Sequence, residues 1–450
     1  MNKTSLIGHV IELHDIIRDA TQPADAVVRD FFRKRHYLGS KDRRFITEVI
    51  YALLRNFRLL QVYAGEALRS IGASADNRRF PSIALYSALA VKLNREEPTQ
   101  VLTEIAGLWR IYIPDADCAA FISALEKVEL HSAIRDNTVK RIAVKHSFAD
   151  MIVGEWIDRF GIDETEKLCT ALNVPAPTTI RVNTLKATLD ECQKALESEW
   201  ISTKRTTLST VGLTLEKRIN TRAVRTFQDG YFEMQDEGSQ LIAMLVNPLP
   251  GEVIVDACAG GGGKTLHLAA LMENRGTILA IDSEERRLAD MHDRLERAGV
   301  SIAQVLLAGR DKAIIDSWIG KADRVLIDAP CTGVGTFRRN PGAKRTFSEG
   351  QVARMSRIQR TVLEAYAPLV KRGGWLVYTT CSLLKQENED AVERFLGGHP
   401  EFVLQNAGDM LDNIVPAQGI SDRYLLLLPH RTSTDGFFAA VLKRESLLLP

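Results

Sequence analysis

The stretch VIVDACAGGGGKTLHLAA, residues 253–270, decides the fold that we expect for this chain. Its opening residues are mostly apolar, glycines follow at 260–263, and an apolar pattern with helical spacing begins at Lys264. Strand, glycine turn and helix in that order are typical of a parallel, doubly wound sheet, in which ligands bind outside the carboxyl ends of the strands. The stretch therefore predicts an α/β domain with a binding site at its glycine turn.

The same alternation continues on the carboxyl side of this stretch. TILAID (277–282) is followed by the helical segment SEERRLADMHDRLERAG (283–299). Further apolar runs are RVLIDAP (324–330), WLVYTTCS (375–382), RYLLLLP (423–429) and FFAAVLK (437–443). Near-continuous apolar strands are typical of parallel sheets covered on both faces. We expect a doubly wound, Rossmann-like domain over residues 238–450.

The preceding residues predict two other domains. Apolar residues recur at helical spacing up to about residue 145, as in Phe45-Val49-Leu53, which predicts an all-helical domain over 1–145. A helical connector follows until Pro175 and Pro177, and TTIRVNTLK (178–186) then alternates like a strand before a helical stretch. We expect residues 146–237 to hold this connector and a small α+β domain.

Composition favours a soluble protein without disulfide bonds. Apolar residues make up 45% and charged residues 26%, and no run of about 18 apolar residues could span a membrane. The first residues, MNKTSLIGHVIELHDIIRDA, lack the basic-then-apolar design of a secretory leader, so we expect a cytoplasmic protein. None of the six cysteines lies in a CxxC pair, and no Cys/His spacing predicts a metal site.

Two basic patches interrupt a chain whose formal net charge is only +1. The first lies between Arg29 and Arg58 and the second between Arg338 and Arg360. Local patches on a neutral protein favour a polyanion site, although a solvated surface is the alternative, above all for the first patch.

The glycine turn is compatible with three nucleotide ligands. Asp256-x-Cys258-x-Gly260-x-Gly262 is one substitution from the acid-x-G-x-G-x-G pattern of sheets that bind S-adenosylmethionine (SAM). A phosphate-binding loop would need glycine in place of Cys258, and a nicotinamide dinucleotide site would need a third glycine at Thr265. Asp282, at the end of the second strand, can accept both ribose hydroxyl hydrogens of any of these nucleotides. The loop favours SAM without excluding the others.

Two cysteines follow neighbouring strands of the predicted sheet. Cys331 comes after Asp328-Ala329-Pro330, and Cys381 comes after Thr379-Thr380. A lone cysteine after a strand is more often a small buried apolar residue than a nucleophile. Two cysteines at adjacent strand ends beside a cofactor loop favour the nucleophile.

Three motifs together resemble a known enzyme family. DACAGGGGKT (256–265), LIDAPCTGVGTFRRNP (326–341) and YTTCSLLKQENED (378–390) resemble the cofactor loop and the two cysteine motifs of the RsmB/Nop/Sun family of SAM-dependent RNA cytosine-5 methyltransferases. RVNTLK (181–186), QDEGSQ (235–240) and DGFFAAVLKR (435–444) are also similar to family segments, so the resemblance covers about residues 175–450.

The resemblance implies a role for each matching residue. Cys381 would be the nucleophile that adds to carbon 6 of cytosine, Cys331 would assist product release, and Asp328 would contact the base. The residues implied in SAM binding are Cys258, Ala259, Gly260, Gly261, Gly262, Gly263, Lys264, Asp282 and Asp328. A thiolate at carbon 6 makes carbon 5 electron-rich enough to take a methyl group, which explains why the chemistry needs a cysteine.

Two departures from the family pattern affect the cofactor site. The family loop usually reads CAAPGGK, whereas Gly260 and Gly261 stand here in place of alanine and proline. The family also carries an acid after the third strand, in a segment like GDGR, on the adenine side of the cofactor. LAGRDK (307–312) has Gly309 there, so we assign that contact to Asp311, two residues later.

The resemblance implies RNA as the substrate. Arg338 and Arg339 directly follow the Cys331 turn and are predicted to rim the catalytic pocket, and Arg181 lies in the RNA-contacting segment RVNTLK. The helical domain weakly resembles the NusB-like RNA-binding domain of bacterial ribosomal members. We therefore expect a monomeric enzyme acting on 16S rRNA, without a metal. The alternatives are action on tRNA, a SAM-binding ribosome assembly factor, and a nucleotide hydrolase.

Overall fold

A computed structural model describes residues 1–73, 80–130, 132–411 and 423–445. The chain forms two compact units. A helical unit comprises Met1–Val174 together with Phe337–Ser348, and an α/β unit comprises Pro175–Thr336 and Glu349–Pro450. The connector helices, which we expected to group with the small domain, thus belong to the helical unit. The segment Phe337–Ser348, which begins within the first cysteine motif, belongs to the same unit.

The described residues of the first part of the helical unit form mainly α-helices. Their bounds are α1 Lys3–Asp19, α2 Ala24–Arg33, α3 Ser40–Ser70, α4 Ser82–Ala88, α5 Pro98–Tyr112, α6 Cys118–Lys127, α7 Ser132–Arg135, α8 Thr138–His146, α9 Asp150–Phe160 and α10 Ile162–Ala171. The side chain of Asp117 accepts from two backbone N–H groups at the start of α6, and Asn137 caps α8. α3 contributes Ile46, Ile50 and Leu53 to the buried core of this unit. The predicted helical domain is confirmed.

The α/β unit begins with a small antiparallel sheet. Its elements are β1 Thr178–Val182, α11 Leu189–Ser198, β2 Thr203–Arg205, β3 Gly212–Leu215, α12 Arg225–Gln228 and β4 Phe232–Met234. The strands lie in the order β2-β3-β1-β4. Thr188 and Glu191 form a capping box at the start of α11, which turns Cys192 and Leu196 into the core of this sheet.

The remaining elements are the strands of the large sheet and the helices that alternate with them. They are α13 Glu237–Val246, β5 Val253–Ala257, α14 Gly263–Leu271, β6 Thr277–Asp282, α15 Glu285–Ala298, β7 Ala303–Leu307, α16 Lys312–Asp316, β8 Ala322–Asp328, α17 Ala343–Thr346 (in the helical unit), α18 Glu349–Tyr366, β9 Val370–Thr380, α19 Glu389–Gly398, β10 Phe402–Gln405, α20 Ala407–Leu411, β11 Leu425–Leu427, α21 Pro429–Thr432 and β12 Phe437–Arg444. Among the described residues, no helix is both long enough and apolar enough to cross a membrane.

The large sheet has the strand order β10-β12-β9-β8-β5-β6-β7, and β11 pairs with β12. Five neighbouring strands, from β7 to β9, run parallel, as the sequence predicts. β12 runs antiparallel between β9 and β10, which the alternating pattern does not predict. An antiparallel neighbour needs no crossover helix, so the last strand can return directly into the sheet.

Both faces of the large sheet are buried. Successive residues of β5 alternate between two apolar clusters, with Ile254 in one and Val255 in the other. The parallel register pairs Ala257 with both Ile281 and Ile327, and Asp328 with Thr379. The carboxyl ends of β5, β6, β8 and β9 therefore meet at one edge, where the predicted site residues follow them.

Candidate active site

The glycine turn is closed by short backbone hydrogen bonds. Ala259 N–H donates to Ile281 O at 2.8 Å, and Gly262 N–H donates to Ala259 O at 2.9 Å. Cys258 and Gly260 have φ values of +67° and +58°. A Cβ added at Gly260 would meet no atom within 4 Å, so the turn faces open space on that side. A ligand can approach this backbone closely.

Asp282 lies directly beside this turn. Its Oδ2 accepts from Gly260 N–H and its Oδ1 from Glu284 N–H, both at 2.8 Å. Each carboxylate oxygen retains a second lone pair, so the same side chain can accept from two ribose hydroxyls. The turn and Asp282 together fit the nucleoside and amino-acid parts of SAM.

Asp256 is fully buried beneath the turn. Thr265 Oγ1 donates to its Oδ2 at 2.6 Å, while its Oδ1 has no hydrogen-bond partner among the described residues. Burial raises the pKa of Asp256 to about 7, because a desolvated carboxylate is destabilised more than the neutral acid. The glycine turn therefore rests on an acid that titrates near neutral pH.

Lys264 and Asp328 form an ion pair between the glycine turn and the first cysteine turn. Lys264 Nζ donates to Asp328 Oδ2 at 2.5 Å. Burial lowers the pKa of Lys264, but the charge and hydrogen bond of Asp328, together with the charges of Asp256 and Cys381, raise it above the ordinary value. The ammonium also interacts electrostatically with Cys381. This pairing links two motifs that the sequence shows only as separate.

The two predicted cysteines lie together. Cys331 Sγ and Cys381 Sγ are 3.3 Å apart at the ends of the adjacent parallel strands β8 and β9. Their hydrogen bond and the burial of Cys331 raise the pKa of Cys331 well above that of a free thiol. A pair of thiols at this distance can act on neighbouring atoms of one planar ring.

Glu387 is a polar residue beneath the cysteine turns that the sequence analysis missed. It is fully buried and accepts hydrogen bonds from Thr332 and Ser382, the residues that follow the two cysteines. An acid six residues after Cys381 in a quoted motif was the available signal, but spacing alone does not separate it from the neighbouring half-buried acids Glu389 and Asp390.

Asp311 lies after β7, near the start of α16. Its Oδ2 accepts from Leu307 N–H at 2.8 Å, and Arg310 pairs with it at 3.2 Å. The Arg310 guanidinium and the backbone donor hold the pKa of Asp311 below its usual value. The adenine contact that we assign to Asp311 stays a prediction.

Arg181 is placed differently from a surface RNA contact. It is 1% exposed in β1, and its Nε donates to Gln235 Oε1 at 2.6 Å. Burial lowers its pKa to about 10. Its position therefore favours a structural role in the small sheet over the RNA contact that we predicted.

Arg338 and Arg339 belong to the helical unit, within Phe337–Ser348. Arg338 is 3% exposed, whereas Arg339 is exposed. The segment is anchored in that unit by Lys344, whose ammonium donates to Arg55 O, His146 O and Asn173 Oδ1 at 2.7–2.9 Å. The burial of Arg338 does not favour the predicted RNA contact, and the predicted rim position of both arginines stays a prediction.

Two family descriptions match this chain. The family "16S rRNA methyltransferase RsmB/F" matches residues 243–443. The RsmF/B-like ferredoxin-like domain matches residues 149–222, which include part of the small sheet.

Curated relatives and solved structures agree with these matches. The chain is 34% identical over 322 residues to the probable ribosomal RNA small subunit methyltransferase B of Bacillus subtilis, covering 71% of each chain. It is 30% identical to a human 28S rRNA (cytosine(4447)-C(5))-methyltransferase, covering 69% of this chain and 40% of that one.

The crystal structure of PH0851 is similar over 99% of both chains, with a TM-score of 0.77 and 27% identity. The resemblance drawn from the three motifs and the expected fold are thus confirmed, and the nucleotide hydrolase alternative is not supported. The chain belongs to the RsmB/F family of rRNA methyltransferases and uses SAM as its methyl donor.

Proposed function

We propose that this enzyme methylates carbon 5 of a cytosine in small-subunit (16S) rRNA through a covalent bond from Cys381 to carbon 6. The observation that carries the proposal is the 3.3 Å separation of the Cys331 and Cys381 sulfurs beside the Lys264–Asp328 pair. A lone thiol would suffice to bind or to pack. Two thiols in contact suit a reaction that makes and then breaks a carbon–sulfur bond.

SAM would be held by the glycine turn and by Asp282. The turn offers backbone N–H groups to the methionine carboxylate, and Asp282 offers lone pairs to the ribose. When bound, SAM supplies an electrophilic methyl group to the edge of the sheet where the two cysteines lie.

Cys381 acts first in the proposed reaction. Its thiolate adds to carbon 6, and the π electrons of the carbon 5–carbon 6 double bond move to carbon 5. Carbon 5 thereby becomes the nucleophile. Asp328 lies at the adjacent strand end, and its carboxylate can accept from the exocyclic amine of the ring and from N3 once N3 carries a proton. The Lys264 ammonium places a positive charge near the thiolate and holds Asp328 in place.

Cys331 acts second. While Cys381 is free, its hydrogen bond to Cys331 and the charge that it carries when ionised disfavour ionisation of Cys331. Once Cys381 is a neutral thioether, both effects weaken, so Cys331 can ionise and remove the proton from carbon 5. The electrons of that bond re-form the double bond and expel the Cys381 thiolate.

Exposed arginines support RNA as the substrate. Arg354, Arg357 and Arg360 are exposed along α18, the helix that contacts the Cys331 turn through Gln359. In the helical unit, Arg29, Lys34 and Lys41 are exposed within the first basic patch. Exposed cations of this kind bind phosphates without reading sequence.

The experiment is methylation of defined RNAs with SAM labelled in its methyl group. We expect label in a 16S rRNA transcript, with bisulfite sequencing placing it on one cytosine, and little label in tRNA or large-subunit rRNA. Label confined to tRNA would contradict the assigned RNA. Label on a base other than cytosine would contradict the proposed chemistry.

A further inference from the structure

Glu387 occupies an unusual position for an acid. It ends the 3-10 turn Lys385–Glu387, directly after the Cys381 turn, and its side chain is completely buried. Four hydrogen bonds end on its carboxylate. Thr332 N–H (2.9 Å) and Gln359 Nε2 (3.1 Å) donate to Oε1, while the Thr332 and Ser382 hydroxyls (2.5 Å each) donate to Oε2. A carboxylate offers about four acceptor positions, so all of them are filled.

Three of these four donor groups belong to residues that directly follow the cysteines. Thr332 directly follows Cys331, and Ser382 directly follows Cys381. One carboxylate therefore ties together the residues next to both thiols, which come from separate strands 50 positions apart in the chain. Backbone hydrogen bonds also link the two turns, from Ala329 N–H to Thr379 O and from Gly335 N–H to Cys381 O, both at 2.9 Å. Glu387 adds the link at the residues directly after the two sulfurs.

The opposite flanks of the cysteines are held by neighbours of the same network. Gln359 also donates to the carbonyl of Pro330, the residue before Cys331, at 2.9 Å. Asn388 donates to Ser382 O at 3.0 Å and accepts from Thr380, the residue before Cys381, at 2.6 Å. Residues on both sides of each thiol are thus fixed within one buried polar cluster.

We propose that Glu387 is a positioning residue that holds Cys331 and Cys381 in contact and keeps a negative charge beside Cys331. The inference about position rests on geometry alone, whereas its consequence for methyl transfer rests on the proposed function. The charge raises the pKa of Cys331, after the larger effects of the Cys381 hydrogen bond, of burial and of the Cys381 charge. Glu387 thereby favours a division of labour in which Cys331 stays a thiol while Cys381 attacks.

Two substitutions separate the positional role from the charge. Glu387→Ala removes both. Glu387→Gln removes the charge but can keep the network, because its carbonyl oxygen can take the two N–H donors while its amide donates to the two hydroxyls, which rotate to accept. Glu237→Gln is the matched control, since Glu237 is also buried and accepts from Leu208 N–H and Ser209 N–H far along the chain from both cysteines.

The first measurement needs no RNA. The thiol oxidant diamide should join Cys331 to Cys381 in the wild-type protein, and peptide mass spectrometry measures the rate. We expect Glu387→Ala to slow this disulfide about 100-fold, the order of loss that follows a displacement of about 1 Å between reacting groups. Glu387→Gln and Glu237→Gln should stay within about threefold of wild type, on the same geometric reasoning.

The second measurement concerns charge and turnover. In Glu387→Gln, alkylation of Cys331 by iodoacetamide should begin at lower pH than in the wild type, because the negative charge beside the thiol is gone. In Glu387→Ala, kcat for methyl transfer should fall about 100-fold while the KM for SAM stays unchanged. If Glu387→Ala shows no thermal unfolding transition and is therefore not folded, Thr332→Val takes its place. This variant removes one hydrogen-bond donor to Glu387 and should slow formation of the disulfide about tenfold.

The outcomes distinguish this inference from the proposed function. Unchanged disulfide rates in Glu387→Ala, or in Thr332→Val where that variant is needed, would overturn the positioning role, whatever the substrate. An unshifted alkylation profile in Glu387→Gln would overturn the role of the charge. Slower disulfide formation with unchanged methylation would show that Glu387 positions the thiols but that turnover does not need them in contact, which counts against the proposed function.

Discussion

The cysteine turns and the glycine turn lie at the same edge of one sheet, and each rests on a buried carboxylate that is held in a different way. Glu387, beneath the cysteine turns, accepts four hydrogen bonds. Asp256, beneath the glycine turn, accepts one from Thr265, and its Oδ1 has no hydrogen-bond partner among the described residues.

The difference follows from what each turn does. The proposed covalent chemistry requires two sulfurs at a fixed distance. A carboxylate beneath them with all its acceptor positions filled helps to keep that distance constant. The glycine turn has to admit a cofactor, and a partly bonded acid beneath it costs stability when it ionises. The four predictions below test this contrast, from the largest expected effect to the smallest.

Replacing the nucleophile should have the largest effect. In Cys381→Ala, methyl transfer to 16S rRNA should fall by at least about 10⁴-fold, because the thiolate that adds to carbon 6 is missing. SAM binding, measured by calorimetry, should persist, because the glycine turn is intact. Cys118→Ala, a half-buried thiol of the helical unit, is the control and should remain active. Retained activity in Cys381→Ala would refute the nucleophile assignment.

Replacing the second thiol should stop the reaction at a later step. In Cys331→Ala, turnover should fall by about 10²–10⁴-fold, because the base that removes the carbon-5 proton is missing. RNA should then remain attached to Cys381 and migrate with the protein on a denaturing gel. The double variant Cys331→Ala/Cys381→Ala should show no such band. Full turnover without any adduct in Cys331→Ala would place the base elsewhere.

Asp256 should make stability depend on pH. Its pKa is about 7 in the folded protein and has an ordinary value of 3.8 when unfolded. The folded state therefore keeps a proton that the unfolded state has lost, and stability falls as pH rises between these values. Between about pH 5 and about pH 8, the wild type should lose roughly 3 kcal/mol of unfolding free energy relative to Asp256→Asn.

Denaturant unfolding of both proteins at the two pH values measures this difference. Asn cannot ionise, so the variant lacks the titration of this site. A wild-type stability that runs parallel to that of the variant would show that Asp256 is ionised in the folded state, and the contrast with Glu387 would disappear.

The backbone of the glycine turn should give the smallest effect. Gly260→Ala places a side chain at φ +58° without any clash, so it should cost about 1 kcal/mol of unfolding free energy through backbone strain alone. Gly397→Ala, in helix α19 and also free of clashes, is the control and should stabilise by about 0.5–1 kcal/mol. Equal effects at the two positions would argue against a strained turn.

Local patterns in the sequence predicted the elements that carry the site. The apolar runs 253–258, 324–330 and 375–382 predicted the ends of β5, β8 and β9, and hence the places of Cys258, Cys331 and Cys381. Such runs determine strands because each residue of a parallel strand is covered on one face or the other. The antiparallel β12 has the same composition, so its direction could not be predicted.

Charged residues were predicted less well than apolar ones. Arg181 and Arg338 were expected at an RNA surface, yet they are 1% and 3% exposed. Glu387 was not assigned a role and is fully buried. A charged side chain has no periodic signature of burial, because its solvation depends on partners brought from distant parts of the chain.

By itself the sequence determined the strands, the glycine turn and the presence of two thiols at strand ends, since these depend on neighbours along the chain. Tertiary structure alone decided that the two sulfurs lie 3.3 Å apart, that Lys264 pairs with Asp328, and that Glu387 lies under both cysteine turns. The physical reason is that strand order brings together residues far apart in sequence, and only that proximity turns a cysteine, a lysine or an acid into part of a reaction site.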